Sequence, residues 1–211
     1  MDRLSQPQAA RLLQASSDTP SIPQVLVLDT CVLLSNVLRQ LFLRLAALAC
    51  FSPAWSPVIG DEWRRNAARL WKVSEEEIDA QWLALQEAFP EADQGDVTVY
   101  KAGLHRSDPK DWHVIAAARA VRARDAAVRV GVVTRNMKDF NRSELRGLGL
   151  DLYDPDDLLV RCWRQYPTSA SDAFQAIPEY ARAPGNETEA LEVILKRERL
   201  FRLNRLYAES P

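Results

Sequence analysis

Residues 25–29 read VLVLD, four consecutive apolar residues closed by an acid. An unbroken apolar run of this length is how a strand covered on both faces reads, and such strands belong to parallel sheets flanked by helices. Directly after it, Leu33, Leu34, Val37, Leu38, Leu41, Phe42, Leu45 and Leu48 recur at three- and four-residue spacing, the stripe of an amphipathic helix. The same alternation continues outward. FSPAWS at 51–56 reads as a short second strand, followed by Pro57 and an arginine-rich helical pattern from Asp61 to Trp71. Ser74 with Glu77 forms a capping box for a helix that runs to about Phe89 and is closed by Pro90. VTVY at 97–100 reads as a third strand, and Asp108 with Pro109 suits the N-cap and first position of a helix through WHVIAAARAV. VGVVT at 130–134 and LDLYD at 150–154 read as fourth and fifth strands, with Asp154 and Pro155 opening a further helix. The pattern predicts a three-layer α/β fold around a central, mainly parallel sheet.

This α/β unit spans residues 23–164, with an N-terminal helical extension over 1–22 and a helical C-terminal extension over 165–211. The C-terminal part carries no strand signal and has two helical stretches separated by APGN at 183–186. In its last stretch, LKRERLFRLNRLY (195–207), apolar residues at 195, 200, 203 and 206 alternate with bases, a helical pattern suited to docking, with its own domain as the first expectation. With 211 residues, 47% of them hydrophobic, the chain has ample material for a core. Cys31, Cys50 and Cys162 are widely spaced and form neither a zinc ribbon nor a redox pair. The start lacks an apolar signal core, and the most apolar run, LRQLFLRLAALACF at 38–51, is short and interrupted by Arg44. No membrane partner and a cytoplasmic location are therefore expected.

In a parallel α/β sheet, ligands gather at the carboxyl ends of the strands. Asp29 closes the first strand, Glu62 lies in the helix after the second, Asp108 and Asp111 precede the next helix, and Asp139 follows the fourth strand by five residues. All five are placed to converge on one rim. Each also has a structural reading: Asp108 and Asp111 as a capping pair, Glu62 as a partner of Arg65 or Asn66, Asp139 as a turn residue. Four carboxylates about 5 Å apart would repel by roughly 3 kcal/mol per pair at an effective dielectric near 20. A hard divalent cation, Mg²⁺ or Mn²⁺, suits an oxygen-only ligand set. His105 and His113 are the only histidines, and His113, in an apolar stretch, reads as a helix-face residue.

VLVLDT, the acid of DEWRR, DPKDWHVIAAA and VVTRNMKDF resemble, in order and spacing, the four acidic motifs of PIN-domain ribonucleases, particularly the VapC-type toxins of bacterial toxin–antitoxin systems. The resemblance covers about residues 24–160. It implies a PIN-like fold and an Mg²⁺- or Mn²⁺-dependent endoribonuclease restrained by a cognate antitoxin. It makes Asp29, Glu62, Asp111 and Asp139 the catalytic, metal-holding quartet, Asp108 a fifth acid, and Thr30, Thr134 and Asn136 the small polar residues that orient ligands or water. It further implies 5′-phosphate and 3′-hydroxyl products and a homodimer. Cys31 departs from the pattern, standing where the family more often has a small polar residue. The amphipathic stretch at 195–207 would then suit an RNA or the antitoxin as well as its own domain.

Charge distribution bears on an RNA partner. The formal net charge of −2 combines eight acids and no base in 73–96 with nine bases against four acids in 110–146. Arg135 and Lys138 flank the fourth acidic motif and are the first candidates for RNA phosphate contacts, followed by Arg64 and Arg65. Trp63 and Trp112 suit core packing better than base stacking. Two other classes compete. A phosphoacceptor signalling domain also carries acids at strand ends, but usually as an adjacent pair, and VLVLDT has a single acid. A non-catalytic α/β RNA-binding module would retain the acids structurally. Neither Cys31 nor Cys50 begins the C-x5-R pattern of cysteine phosphatases.

Overall fold

The computed structural model describes residues 22–182 and 187–209. The helix expected within 1–22 and the APGN segment lie outside the described residues. Four strands, β1 (Val25–Leu28), β2 (Ser52–Ala54), β3 (Val130–Val133) and β4 (Leu150–Tyr153), form one parallel sheet in the order β2-β1-β3-β4. Val25 is in register with Ser52 on one side and Val130 on the other. Leu26, Val27 and Leu28 have no exposed surface, which accounts for the unbroken apolar run. The chain leaves β1 for β2 on one side and later returns to build β3 on the other. The carboxyl ends of β1 and β3 therefore flank the point where strand order reverses, where α/β sheets open a crevice.

Helices cover the sheet. After β1 come α1 (Thr30–Leu33) and α2 (Asn36–Ala47), the latter capped by Ser35, whose hydroxyl accepts from Leu38 N–H at 3.2 Å. After β2 come α3 (Pro57–Trp71), capped by Ser56, and α4 (Glu75–Ala88), capped by Ser74. The arginine-rich helix thus starts at Pro57, one turn ahead of Asp61. α5 (Trp112–Arg124) precedes β3, α6 (Arg142–Gly147) lies between β3 and β4, and α7 (Pro155–Gln165) follows β4. Trp63 is fully buried in the core, and its indole N–H donates to the Leu33 carbonyl at 3.0 Å.

Two local expectations are corrected. VTVY is not a strand: Thr98–Lys101 is a 3-10 turn, because the Asp96 carboxylate accepts from Thr98 N–H at 2.9 Å and starts a turn, a local bond that overrides β-propensity. The α-helix expected from Pro109 begins at Trp112, preceded by a 3-10 turn over Pro109–Asp111.

From Pro167 onward the elements among the described residues are all helices: α8 (Pro167–Gln175), α9 (Ile177–Ala181), α10 (Leu191–Arg197) and α11 (Phe201–Ala208). LKRERLFRLNRLY is not one helix; Arg199, at φ +58°, breaks it in two. The break turns Leu195, Leu200 and Leu203 into the protein, each 1% exposed. Asp156 of α7 holds α11 by its start, accepting from Arg202 N–H at 2.8 Å and Leu203 N–H at 2.9 Å. No helix among the described residues is long and apolar enough to cross a membrane.

Candidate functional site: a carboxylate rim at the strand-order reversal

Asp29 follows β1 and occupies the N-cap position of α1, yet its side chain makes no capping bond. It is 3% exposed. Thr134 Oγ1 donates to Asp29 Oδ2 at 2.6 Å and Cys31 Sγ donates to the same oxygen at 3.1 Å, so both bonds fall on Oδ2. Burial raises the Asp29 pKa against the lowering effect of these donors, and Glu62 nearby raises it further. Thr134 closes β3, and its hydroxyl also accepts from Asn136 N–H at 2.9 Å, so the turn after β3 is folded onto the group that fixes Asp29.

The next two acidic positions are tied together by backbone. Asp108 N–H donates to the Asp139 carbonyl at 2.8 Å, joining the loop before α5 to the 3-10 turn Met137–Asp139. Asp108 performs the capping work, accepting from Lys110 N–H at 3.0 Å. Asp111 makes no capping bond, and no hydrogen bond from a described residue reaches the side chain of Asp111 or Asp139. The capping-pair reading therefore holds for Asp108 and fails for Asp111. Burial, then the charges of Asp29 and Asp139, push the Asp111 pKa up to about 6.

Glu62 stands on the same rim from α3. Thr30 Oγ1 donates to its Oε2 at 2.9 Å, and the His113 Nε2 lies 3.3 Å from that oxygen, an ion-pair distance without the alignment of a good hydrogen bond. The His113 ring, outweighing burial and joined by Thr30, lowers the Glu62 pKa. Pairing of the Glu62 carboxylate with Asn66 is not observed, since Asn66 donates instead to the Glu62 backbone carbonyl at 2.9 Å. His113 is 7% exposed and Nδ1 is 2.8 Å from the Lys110 carbonyl. A carbonyl only accepts, so Nδ1 carries a hydrogen, and Nε2, the atom facing Glu62, attracts that carboxylate only in the imidazolium form, in which it carries a hydrogen as well. The histidine read as a helix-face residue is thus part of the rim. No local pattern marks it, because its partner lies on a different helix.

The Cys31 thiol donates to Asp29, lies 3.4 Å from Thr134 Oγ1 and accepts from Arg135 N–H at 3.2 Å. Burial and the Asp29 charge push its pKa up to about 12, so it stays a donor. The basic candidates fare differently. Arg135 is held by the C-terminal extension: its Nη2 meets Glu198 Oε2 at 2.7 Å and the Glu198 carbonyl at 3.0 Å. Arg64 bonds Asp61 and, at 3.2 Å, Asp79 of α4. Arg65 donates to the Asp61 carbonyl at 3.3 Å. Lys138 is exposed and forms no ion pair with a described residue.

Glu144, at the start of α6, escaped the sequence reading. Its carboxylate accepts from the N–H groups of His105, Arg106 and Ser107 and from Ser107 Oγ, at 2.6–3.0 Å. Burial would raise its pKa, but these four donors bring it down to about 2. Its work is to hold the loop that leads into Asp108.

Among the described residues no three His, Cys, Asp or Glu side chains close on a common point as a ready-made metal shell. The donor chemistry nevertheless suits a hard cation. Among the described residues the side-chain oxygens of Asp111 and Asp139 have no hydrogen-bond donor, and burial together with like-charge repulsion from Asp29 and Asp139 raises the Asp111 pKa. No family model, no curated protein and no solved structure matches the chain.

Proposed function

We propose that the protein is a metal-dependent endoribonuclease of the PIN-like, VapC-toxin kind, hydrolysing RNA phosphodiester bonds in the cytoplasm and restrained by a cognate antitoxin. The observation that carries this reading is the Asp111 carboxylate: free of the capping role its position invites, unbonded, and pushed up to about 6 beside Asp29 and Asp139. Structural acids are satisfied acids, as Glu144 illustrates, whereas acids kept in mutual repulsion mark a site for a cation.

Asp29, Asp111 and Asp139 would hold Mg²⁺ or Mn²⁺, with rotation of the two unbonded side chains closing the ligand set and Asp108 in reserve. Such an ion supplies a low-pKa water and relief of charge on the leaving oxygen. Glu62, kept ionised beside His113 and fixed by Thr30, orients the attacking water and accepts its proton. Thr134 and Cys31 hold Asp29 in one rotamer, and Asn136 N–H fixes Thr134 in turn. Lys138, Arg135, Arg64 and Arg65 line the approach as phosphate contacts. A homodimer remains part of this reading on the resemblance alone.

The test is cleavage of a total RNA pool by purified protein in Mn²⁺. Asp29→Asn and Asp111→Asn should each lower the rate by about a hundredfold or more while leaving the circular dichroism spectrum unchanged. An inactive wild type, or variants as active as wild type, overturns the nuclease reading and leaves the RNA-binding module standing.

A further inference from the structure

A charged group outside the acid rim is buried without a counter-ion among the described residues. Arg39, in the first turn of α2, is 5% exposed. Its Nη1 donates to the Leu33 carbonyl at 2.9 Å and its Nη2 to Asn36 Oδ1 at 2.6 Å. The guanidinium lies over Trp71 and Trp63, with centroid distances of 4.8 and 5.5 Å. A guanidinium has five N–H donors, and these two bonds leave the others without a protein acceptor among the described residues. Burial pushes the Arg39 pKa down to about 10, with no carboxylate acting against it. Charges this deep are ordinarily paired, and the two indole faces offset only part of the deficit.

Arg39 also forms part of the wall of a cavity of about 530 Å³, shared with Asn36, Trp71, Tyr180, Arg182 and Arg197. That volume is in the range of small-ligand sites. Arg182 and Arg197 are half-exposed and pair with Glu179 and Glu189 at the surface, contacts weak enough for a ligand to displace. The only acid among the described wall residues is Glu198, already engaged by Arg135 and by Ser35 Oγ at 2.8 Å.

We propose that this cavity is a binding site for a phosphate-bearing small ligand, separate in its residues from the acid rim. The phosphate takes the unpaired Arg39 donors, and Arg182 and Arg197 close over it. Phosphate fits better than a carboxylate because it offers more oxygens to the three guanidinium groups on the wall.

The test is calorimetric titration of the full chain with pyrophosphate in the presence of EDTA, with succinate as the carboxylate counterpart. Pyrophosphate should bind and raise the melting temperature, and the Arg182→Ala/Arg197→Ala double variant should weaken binding by roughly tenfold. Arg39→Lys, which keeps the charge and loses the fork, should weaken it similarly. If that variant does not fold, the double variant, altered only at exposed side chains, still decides. Asp111→Asn should bind pyrophosphate as wild type does. Absence of binding at millimolar concentration, or equal affinity in wild type and double variant, overturns the site. Succinate binding as tightly as pyrophosphate overturns its assignment to phosphate.

Discussion

Glu144 and Asp111 sit on two stretches of chain that the Asp108–Asp139 backbone bond fastens together, and they meet opposite environments. Glu144 is partly buried with four donors on its carboxylate and is pulled down to about 2. Asp111 is half-buried, has no donor among the described residues and is pushed up to about 6. The fold thus uses one carboxylate to build the rim and keeps another under repulsion on that rim. Burial alone does not separate the two roles. What separates them is whether backbone N–H groups have been turned toward the acid, because those groups satisfy the charge permanently and leave nothing for a ligand.

Substitution sharpens the contrast most. Glu144→Ala leaves backbone donors of His105, Arg106 and Ser107 without their acceptor and should destabilise the protein by about 3 kcal/mol, read by urea denaturation. Asp111→Asn in EDTA should leave stability unchanged or raise it, since it removes a repelled charge. Equal losses in the two variants would erase the distinction.

A smaller effect is expected from pH in EDTA. The folded protein keeps a proton on Asp111 that the unfolded chain has released, so between its ordinary 3.8 and about 6 this residue makes stability fall as pH rises. Glu144 acts in the other sense: its contribution is complete above its ordinary 4.5 and is lost as pH falls toward 2. Denaturant midpoints across this range should lose the first slope in Asp111→Asn and the second in Glu144→Gln. Saturating Mn²⁺ should flatten only the first.

The smallest effect concerns Arg135. Its pair with Glu198, the side chains 32% and 15% exposed, competes with any phosphate. Glu198→Gln should tighten RNA binding by about threefold and steepen its salt dependence by about one counter-ion. Filter binding at several salt concentrations reads both. An unchanged slope would show that Arg135 does not touch RNA.

Much of this layout was legible in the residues. VLVLD, the Ser74 cap and the Asp154–Pro155 start are local features whose physics operates within one turn, and each appears where it was read. VTVY misled because its alternation looked like a strand while Asp96, one residue upstream, had already supplied a turn. Val99 is 73% exposed and only Val97 is buried, so the stretch has one core anchor rather than a face. The acids could be placed on one rim from strand ends alone. His113, Glu144 and Glu198 could not, because each acts through a partner 37 or more residues away in sequence, and nothing local announces such a meeting. The buried Arg39 was equally silent, since an arginine in a helical stripe reads as surface.

The clasp between Asp156 and the start of α11 has a consequence in the order of synthesis. Strand β4 ends at Tyr153, and Asp156 follows in α7, so the sheet and the acid rim are complete before α11 exists. At translation rates of 5–20 residues per second, Glu198 arrives roughly 2–9 seconds later. Until then Arg135 has no carboxylate over it and Asp156 has no helix to hold. In that interval the residues of the rim are already synthesised while the carboxylate that pairs with Arg135 is not, so this pair forms only once the tail docks.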